Sequence, residues 1–332
     1  MKAVLPVAGA GTRLRPHTHT QPKALVHVAG KPILGHILDR LLPAGVDEVV
    51  LIVGQWGDRI ADYVRRAYPR LRVSAVEQAE QKGLGHAVYM ARQAVQPDEP
   101  VLIVLGDTIF QADLARAITG DKSAIGVRRV PNPSQFGVVE VEGGRVRRLV
   151  EKPAQPATDL AIVGIYYIRR AGVLFSCLDE TISGDVRVKG EYQLTDGLQR
   201  MVERGEELGT FPVDDWWDCG NPATLLKTNR ELLALANPPA PEIPGSIIIP
   251  PVAIEEGARI VRSVVGPYVS VAGGAELSDV IIRDSIVNEG AAVSSVLLDS
   301  SLVGHRAVVR GSFTRLNVGD SSSIQLGGAG DE

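Results

Sequence analysis

Cysteine is scarce here. Cys177 and Cys219 are the only two in 332 residues, and their spacing suits no metal site. So few thiols exclude a disulfide scaffold, which makes the reducing cytoplasm the expected compartment. A charge excess is lacking too. The net charge of −4 exerts no general pull on nucleic acid or an anionic membrane, so phosphate binding must come from a local site. No hydrophobic run reaches the length of a bilayer span, and no membrane contact is expected. The apolar start, Met1 to Ala8, is interrupted by Pro6, Gly9 and Gly11 and followed by Arg13 and Arg15. That pattern disfavours a secretion signal.

What is present falls into zones. From residue 1 to about 235, short apolar runs alternate with amphipathic segments. Ala3 to Val7, Glu48 to Val53 and Val101 to Leu105 read as strands, and Ile33 to Leu42 carries helical spacing. The alternation predicts an α/β domain, a doubly wound and mostly parallel sheet with helices on both faces. Ligands bind beyond the carboxyl ends of such strands, which puts Gly9 to Arg13 and Gly106-Asp107 on one rim. Residues 236–245 are proline-rich and read as a semi-extended linker. From 246 to 326 an aliphatic residue recurs every five or six positions: Ile248, Ile254, Ile260, Val265, Val271, Leu277, then Val287, Val293, Leu298, Val303 and Val309. A near-hexapeptide period predicts a parallel β-helix, with a sandwich of short antiparallel strands as the competing reading. Residues 327–332 read as a loose tail.

The strongest chemical signal follows the first strand: Ala8-Gly9-Ala10-Gly11-Thr12-Arg13-Leu14-Arg15-Pro16. Glycines let backbone N–H groups approach phosphate oxygens, and Arg13 adds charge. The turn lacks the Gly-Lys-Ser/Thr of a P-loop and the third Gly of a dinucleotide fingerprint. Gln21-Pro22-Lys23-Ala24-Leu25 comes soon after, where Lys23 is suited to meet a polyphosphate. Taken singly, each element has an ordinary structural reading: a tight turn, or a solvated lysine.

Together with Gly30-Lys31-Pro32-Ile33-Leu34, these segments resemble the sugar-phosphate nucleotidyltransferase family. Within it the likeness is to glucose-1-phosphate thymidylyltransferases of the long form, which end in a left-handed β-helix. It extends over nearly the whole chain.

The resemblance implies the following roles. Ala8, Gly9, Gly11, Thr12 and Arg13 bind the nucleotide phosphates together with Lys23. Gln78 and Gly83, in Glu77-Gln78 and Gly83-Leu84-Gly85-His86-Ala87, contact the base. An amide that donates and accepts suits uracil or thymine. Asp107, in Leu105-Gly106-Asp107, and Asp218, in Trp216-Trp217-Asp218-Cys219-Gly220, hold Mg²⁺, a hard cation for which one or two carboxylates suffice. Gly137, Glu151, Lys152, Gly164, Tyr166 and Glu191 form the sugar-phosphate side, with Lys152 on the 1-phosphate. Ala8, Thr108 and Cys219 stand where the family often has Gly, Asn and Thr.

The expected enzyme is therefore a Mg²⁺-dependent nucleotidyltransferase that joins dTTP to glucose 1-phosphate, giving dTDP-glucose and pyrophosphate. Arg13, Lys23 and Lys152 are its catalytic cations. Its partners are small-molecule substrates, not nucleic acid or membrane, and it is expected to be a homo-oligomer. UTP is the rival nucleotide. A silent regulatory subunit that binds nucleotide-sugar is the rival of another class, and an acyltransferase with His305 is a third. His17 and His19 read as incidental, His86 as structural, Glu255-Glu256 as solvated charges and Trp216-Trp217 as packing.

Overall fold

The computed structural model describes residues 1–313 and Ser321. The central sheet begins with Lys2–Pro6, whose middle residues are fully buried because helices cover both faces. Glu48–Val53 and Val101–Val104 flank it in parallel, and Arg72–Glu77 adds a further parallel strand. Residues after 123 change the pattern. Leu160–Ile168 runs antiparallel to both Val101–Val104 and Ser123–Arg129, and Arg145–Val150 forms an antiparallel pair with Val138–Glu142. The nine-stranded sheet is thus parallel in its first half and mixed overall.

The helix Ile33–Leu41 shows why one face turns inward. Ile33, Leu34, Ile37, Leu38 and Leu41 are fully buried, while Arg40 on the other side is exposed. Pro222–Ala236 is started by a capping box of Asn221 and Thr224 and stopped by Asn237 in the left-handed conformation. That stop opens the expected linker.

From Ile247 to Arg310, twelve short strands form three parallel sheets of four among the described residues, the prism of a left-handed parallel β-helix. Val264 pairs with Ile281 and Ile281 with Leu297, so successive coils repeat after 17 and then 16 residues. A shortened corner explains each five-residue step in the sequence. Val265, Val271, Leu277, Val287 and Val293 point inward and are at most 2% exposed, joined by Ile282, which the periodic reading missed. Each such aliphatic contributes about 1.5–3 kcal/mol by burial. The part of the expected β-helix beyond residue 313, and the expected tail, lie outside the described residues.

The two parts share packing. Ile286 and Leu302 of the β-helix belong to the same apolar core as Leu14, Val26 and Leu225. Asn229, fully buried, joins them by hydrogen bonds: its Oδ1 accepts from Ala29 N (2.9 Å) and Ser270 Oγ (2.6 Å), and its Nδ2 donates to Tyr268 O (3.0 Å). Among the described residues no helix is long and apolar enough to cross a membrane.

Candidate active site

The Gly-rich turn leaves the carboxyl end of Lys2–Pro6. Gly9 and Ala10 are exposed, and Leu14 is buried and anchors the short helix Thr12–Leu14. Arg13 is therefore held on an anchored turn with its side chain in solvent. The cleft beside it has a volume of about 430 Å³. Ala8, Gly9, Gly11, Thr12 and Arg13 form one wall. Lys23, Gln78, Gly83, Asp107 and Glu191 complete the lining among the expected site residues.

Lys23 Nζ lies 2.7 Å from Asp107 Oδ2, in a contact whose side chains are 12% and 39% exposed. Asp107 follows the buried strand Val101–Val104. The ribbon formed by Thr108–Gln111 and Asp215–Asp218 sets Asp218 opposite Thr108, which brings Asp107 and Asp218 to the same end. A Cβ built on Gly220 would sit 2.8 Å from Asp218 Oδ1 and 3.1 Å from Arg13 Nη2, so a side chain there would displace both groups. The Cys219 thiol beneath them is pushed up to about 12 by burial, with Lys23 acting against that shift and Asp107 and Asp218 adding to it. It stays a neutral thiol.

The residues expected on the base side are bound to one another. Gln78 is 5% exposed. Its Nε2 donates to Gly83 O (3.2 Å) and contacts His86 Nδ1 (3.0 Å). Both amide hydrogens are thus used inside the protein, which leaves Oε1 as the free group. With Nδ1 of His86 unprotonated, the expected donor-plus-acceptor amide has only Oε1 left for a ligand. Burial, with Lys82, lowers the His86 pKa, so the neutral ring that accepts from Gln78 is favoured. Gly83 has φ +103, and a Cβ there would meet Tyr192 O at 2.7 Å and Glu191 Cβ at 2.8 Å. Gly85 N donates to Tyr192 O (2.8 Å) and Tyr192 N to Lys82 O (2.9 Å). These bonds fasten residues 82–85 to the segment that carries Glu191.

The remaining expected residues lie outside the lining of the cleft. Glu151 Oε2 accepts from Thr195 Oγ1 (2.7 Å), and Glu151 Oε1 lies 3.5 Å from Lys152 Nζ. A Cβ on Gly137 would be 3.0 Å from that Oε2. Lys152 itself is half exposed, on a backbone with φ 42. Gly164 O accepts from the N–H of Leu105, a cleft residue, at 3.0 Å. Tyr166 is 3% exposed within the core, where burial and then the Glu151 charge raise its phenol pKa.

Sequence reasoning missed Gln81, whose Nε2 donates to Ala8 O (2.8 Å) and braces the Gly-rich turn; no spacing or motif marks it. It also missed Thr195, although that residue sits in the Gln193-Leu194-Thr195-Asp196 run. Glu255 is a correction. The sequence pattern implies a solvated charge, yet burial raises its carboxyl to about 7 and Oε1 has no hydrogen-bond partner among the described residues. Trp216 and Trp217 do pack: Trp216 stacks edge-on against Phe136, and Trp217 is 7% exposed.

The nucleotidyl transferase family profile matches residues 2–234. A glucose-1-phosphate thymidylyltransferase of Streptomyces griseus is 32% identical over 98% of this chain and 99% of its own length. One from Streptomyces antibioticus is 33% identical over 98% and 94%. Among solved structures, a UDP-glucose pyrophosphorylase complexed with UDP-glucose superposes with a TM-score of 0.63 and 24% identity, over 70% of this chain and 98% of that one. That superposition concerns the fold. With one family spanning the sheet domain and full-length relatives spanning the rest, this chain belongs to the nucleotidyl transferase family and is a nucleotidyltransferase.

Proposed function

We propose that the enzyme transfers a nucleotidyl group from dTTP to glucose 1-phosphate, forming dTDP-glucose and releasing pyrophosphate. The observation that carries this reading is the single cleft in which the Gly-rich turn, Lys23 and Asp107 meet Gln78 and Gly83. The full-length relatives named as glucose-1-phosphate thymidylyltransferases supply the substrate pair.

Both reactants are anions, so catalysis is mainly charge neutralisation and alignment. Backbone N–H groups of the turn and the Arg13 guanidinium hold the triphosphate. Lys23 neutralises the leaving pyrophosphate. Lys152, half exposed beside the sugar side, brings the 1-phosphate to the α-phosphorus. A phosphate oxygen of the sugar attacks there in line, the bond to the pyrophosphate breaks, and no covalent enzyme intermediate is needed. Glu151 and Glu191 accept hydrogen bonds from sugar hydroxyls.

The donors at the cleft fit Mg²⁺. Asp107 and Asp218 offer hard oxygens at one end of a ribbon, and no cluster of three or more His, Cys, Asp or Glu suited to a metal occurs among the described residues. When bound, Mg²⁺ supplies charge stabilisation to the reacting phosphates.

Gln78 Oε1 calls for a donor on the base, which both thymine and uracil present at N3–H. UTP is therefore the second reading. Pyrophosphate release with Mg²⁺, crossing dTTP, UTP, CTP, ATP and GTP with glucose, galactose, mannose and N-acetylglucosamine 1-phosphates, tests both. dTTP with glucose 1-phosphate is expected to give the highest kcat/KM. Silence of folded protein across the panel would favour a non-catalytic nucleotide-sugar-binding subunit.

A further inference from the structure

The segment from Gly9 to Val28 carries Arg13 and Lys23, and the β-helix touches it on both sides of Lys23. Before Lys23 comes His17. A Cβ on Gly304, at a corner of the β-helix, would lie 3.3 Å from His17 Nδ1 and 3.9 Å from His17 Cε1. After Lys23 comes His27. Its backbone N–H donates to Asn288 Oδ1 (3.3 Å), and its Nε2 lies 3.4 Å from Glu255 Oε1. Those partners are themselves tied into the prism. Asn288 Nδ2 donates to Val303 O (2.9 Å), and Gly273 N donates to Glu255 Oε2 (3.1 Å).

The arm between these contacts has little stiffness of its own. It holds two single-turn helices, Thr12–Leu14 and Lys23–Leu25, and the two-residue strand His27–Val28. Such short pieces need external support to keep a fixed geometry. The seam that supplies it is polar and partly unsatisfied. His17 Nδ1, His305 Nδ1 and Glu255 Oε1 are buried there without hydrogen-bond partners among the described residues. A seam that served stability alone would gain from apolar packing in place of these orphaned groups.

We infer that the β-helix is a brace for the triphosphate-binding arm, and that His17 and His27 are the positioning residues through which it holds Arg13 and Lys23. The inference rests on the assignment of this arm to the nucleotide. It gives the β-helix a part in the reaction of its own chain. The neutral imidazoles suit that role, because burial lowers the pKa of both rings and no repulsive charge is placed beside Arg13.

Gly304→Ala is the gentlest probe. It adds one methyl group against His17, lies outside the catalytic lining, and needs no unusual backbone conformation. Hydrogen exchange of residues 9–28 in ligand-free protein tests the brace without reference to turnover. The arm is expected to exchange faster in Gly304→Ala and His17→Ala than in the wild type. The kcat/KM for the nucleoside triphosphate is expected to fall roughly three- to tenfold, since a misplacement of about 1 Å already disturbs alignment, while the KM for sugar phosphate stays within about twofold. His17→Gln, which keeps a polar group of similar reach, should recover most of the loss. Arg262→Ala, which breaks an exposed ion pair with Asp279 elsewhere on the β-helix, should change neither readout. Unchanged exchange in the arm, or a KM rise shared equally by both substrates, overturns the inference. An inactive wild type would instead count against the proposed reaction, and the exchange comparison would still decide the brace.

Discussion

Lys23 and Asp107 are joined at 2.7 Å across 84 residues of chain, so the cleft holds a paired cation and anion. The pair places opposite charges where a triphosphate and Mg²⁺ are proposed to enter. Substrate and metal would exchange this contact for stronger charge-assisted ones. Asp107→Ala is expected to lower kcat by about 10² to 10³ with little change in melting temperature, because the lost group is part-exposed. A rate within threefold of wild type would remove Asp107 from the metal site.

Gly83 is a position where no other residue fits. Its φ of +103 and its closeness to Tyr192 O exclude a side chain. Gly83→Ala is expected to destabilise the protein by about 1–3 kcal/mol from backbone strain, and to displace Glu191 along with the base segment. Thermal unfolding measures the first effect, and the KM values for both substrates measure the second.

His86 orients Gln78 only while its Nδ1 is unprotonated. Its pKa is depressed in the folded protein, so this contribution is fully present above the unfolded value of 6.5 and is lost as pH falls through the folded value. The KM for the triphosphate should therefore rise at acid pH. His86→Ala should show a raised KM with a flatter acid limb. A pH profile identical to the wild type would separate His86 from base binding.

Glu255 works in the opposite sense. Its folded pKa is raised from 4.5 to about 7, chiefly by burial, with the Gly273 N–H opposing and Glu289 reinforcing the shift. The stability it contributes is full below 4.5 and is lost as pH rises to about 7. His27 is depressed to about 4 by burial, so its contribution is full above 6.5 and is lost on acidification. Glu255→Gln should leave the melting temperature unchanged near pH 4.5 and raise it above pH 7. The difference between the two proteins across that range isolates Glu255 from every other titrating group.

Asn229→Ala tests the weld between the two parts. It would strip partners from Ala29 N, Ser270 Oγ and Tyr268 O in a fully buried place. Each orphaned group costs about 1–3 kcal/mol, so a large loss in thermal or denaturant stability is expected.

Much of this protein was legible along the chain because the constraints are local. A glycine turn after an apolar strand, a carboxylate ending the next strand and an aliphatic residue every five or six positions are read without knowing what folds against them. They gave the sheet domain, the β-helix and the motif residues that line the cleft. What they left open depends on partners far away in sequence. The antiparallel strands after residue 123 rest on pairings that no spacing marks. Gln78 keeps only Oε1 for a ligand because Gly83 and the unprotonated His86 take its hydrogens. Glu255 became a partly buried carboxyl because the β-helix docks beside His27. Burial and hydrogen-bond partnership are properties of surfaces brought together by the fold. Only the tertiary structure decides which polar side chain meets water and which is closed off from it.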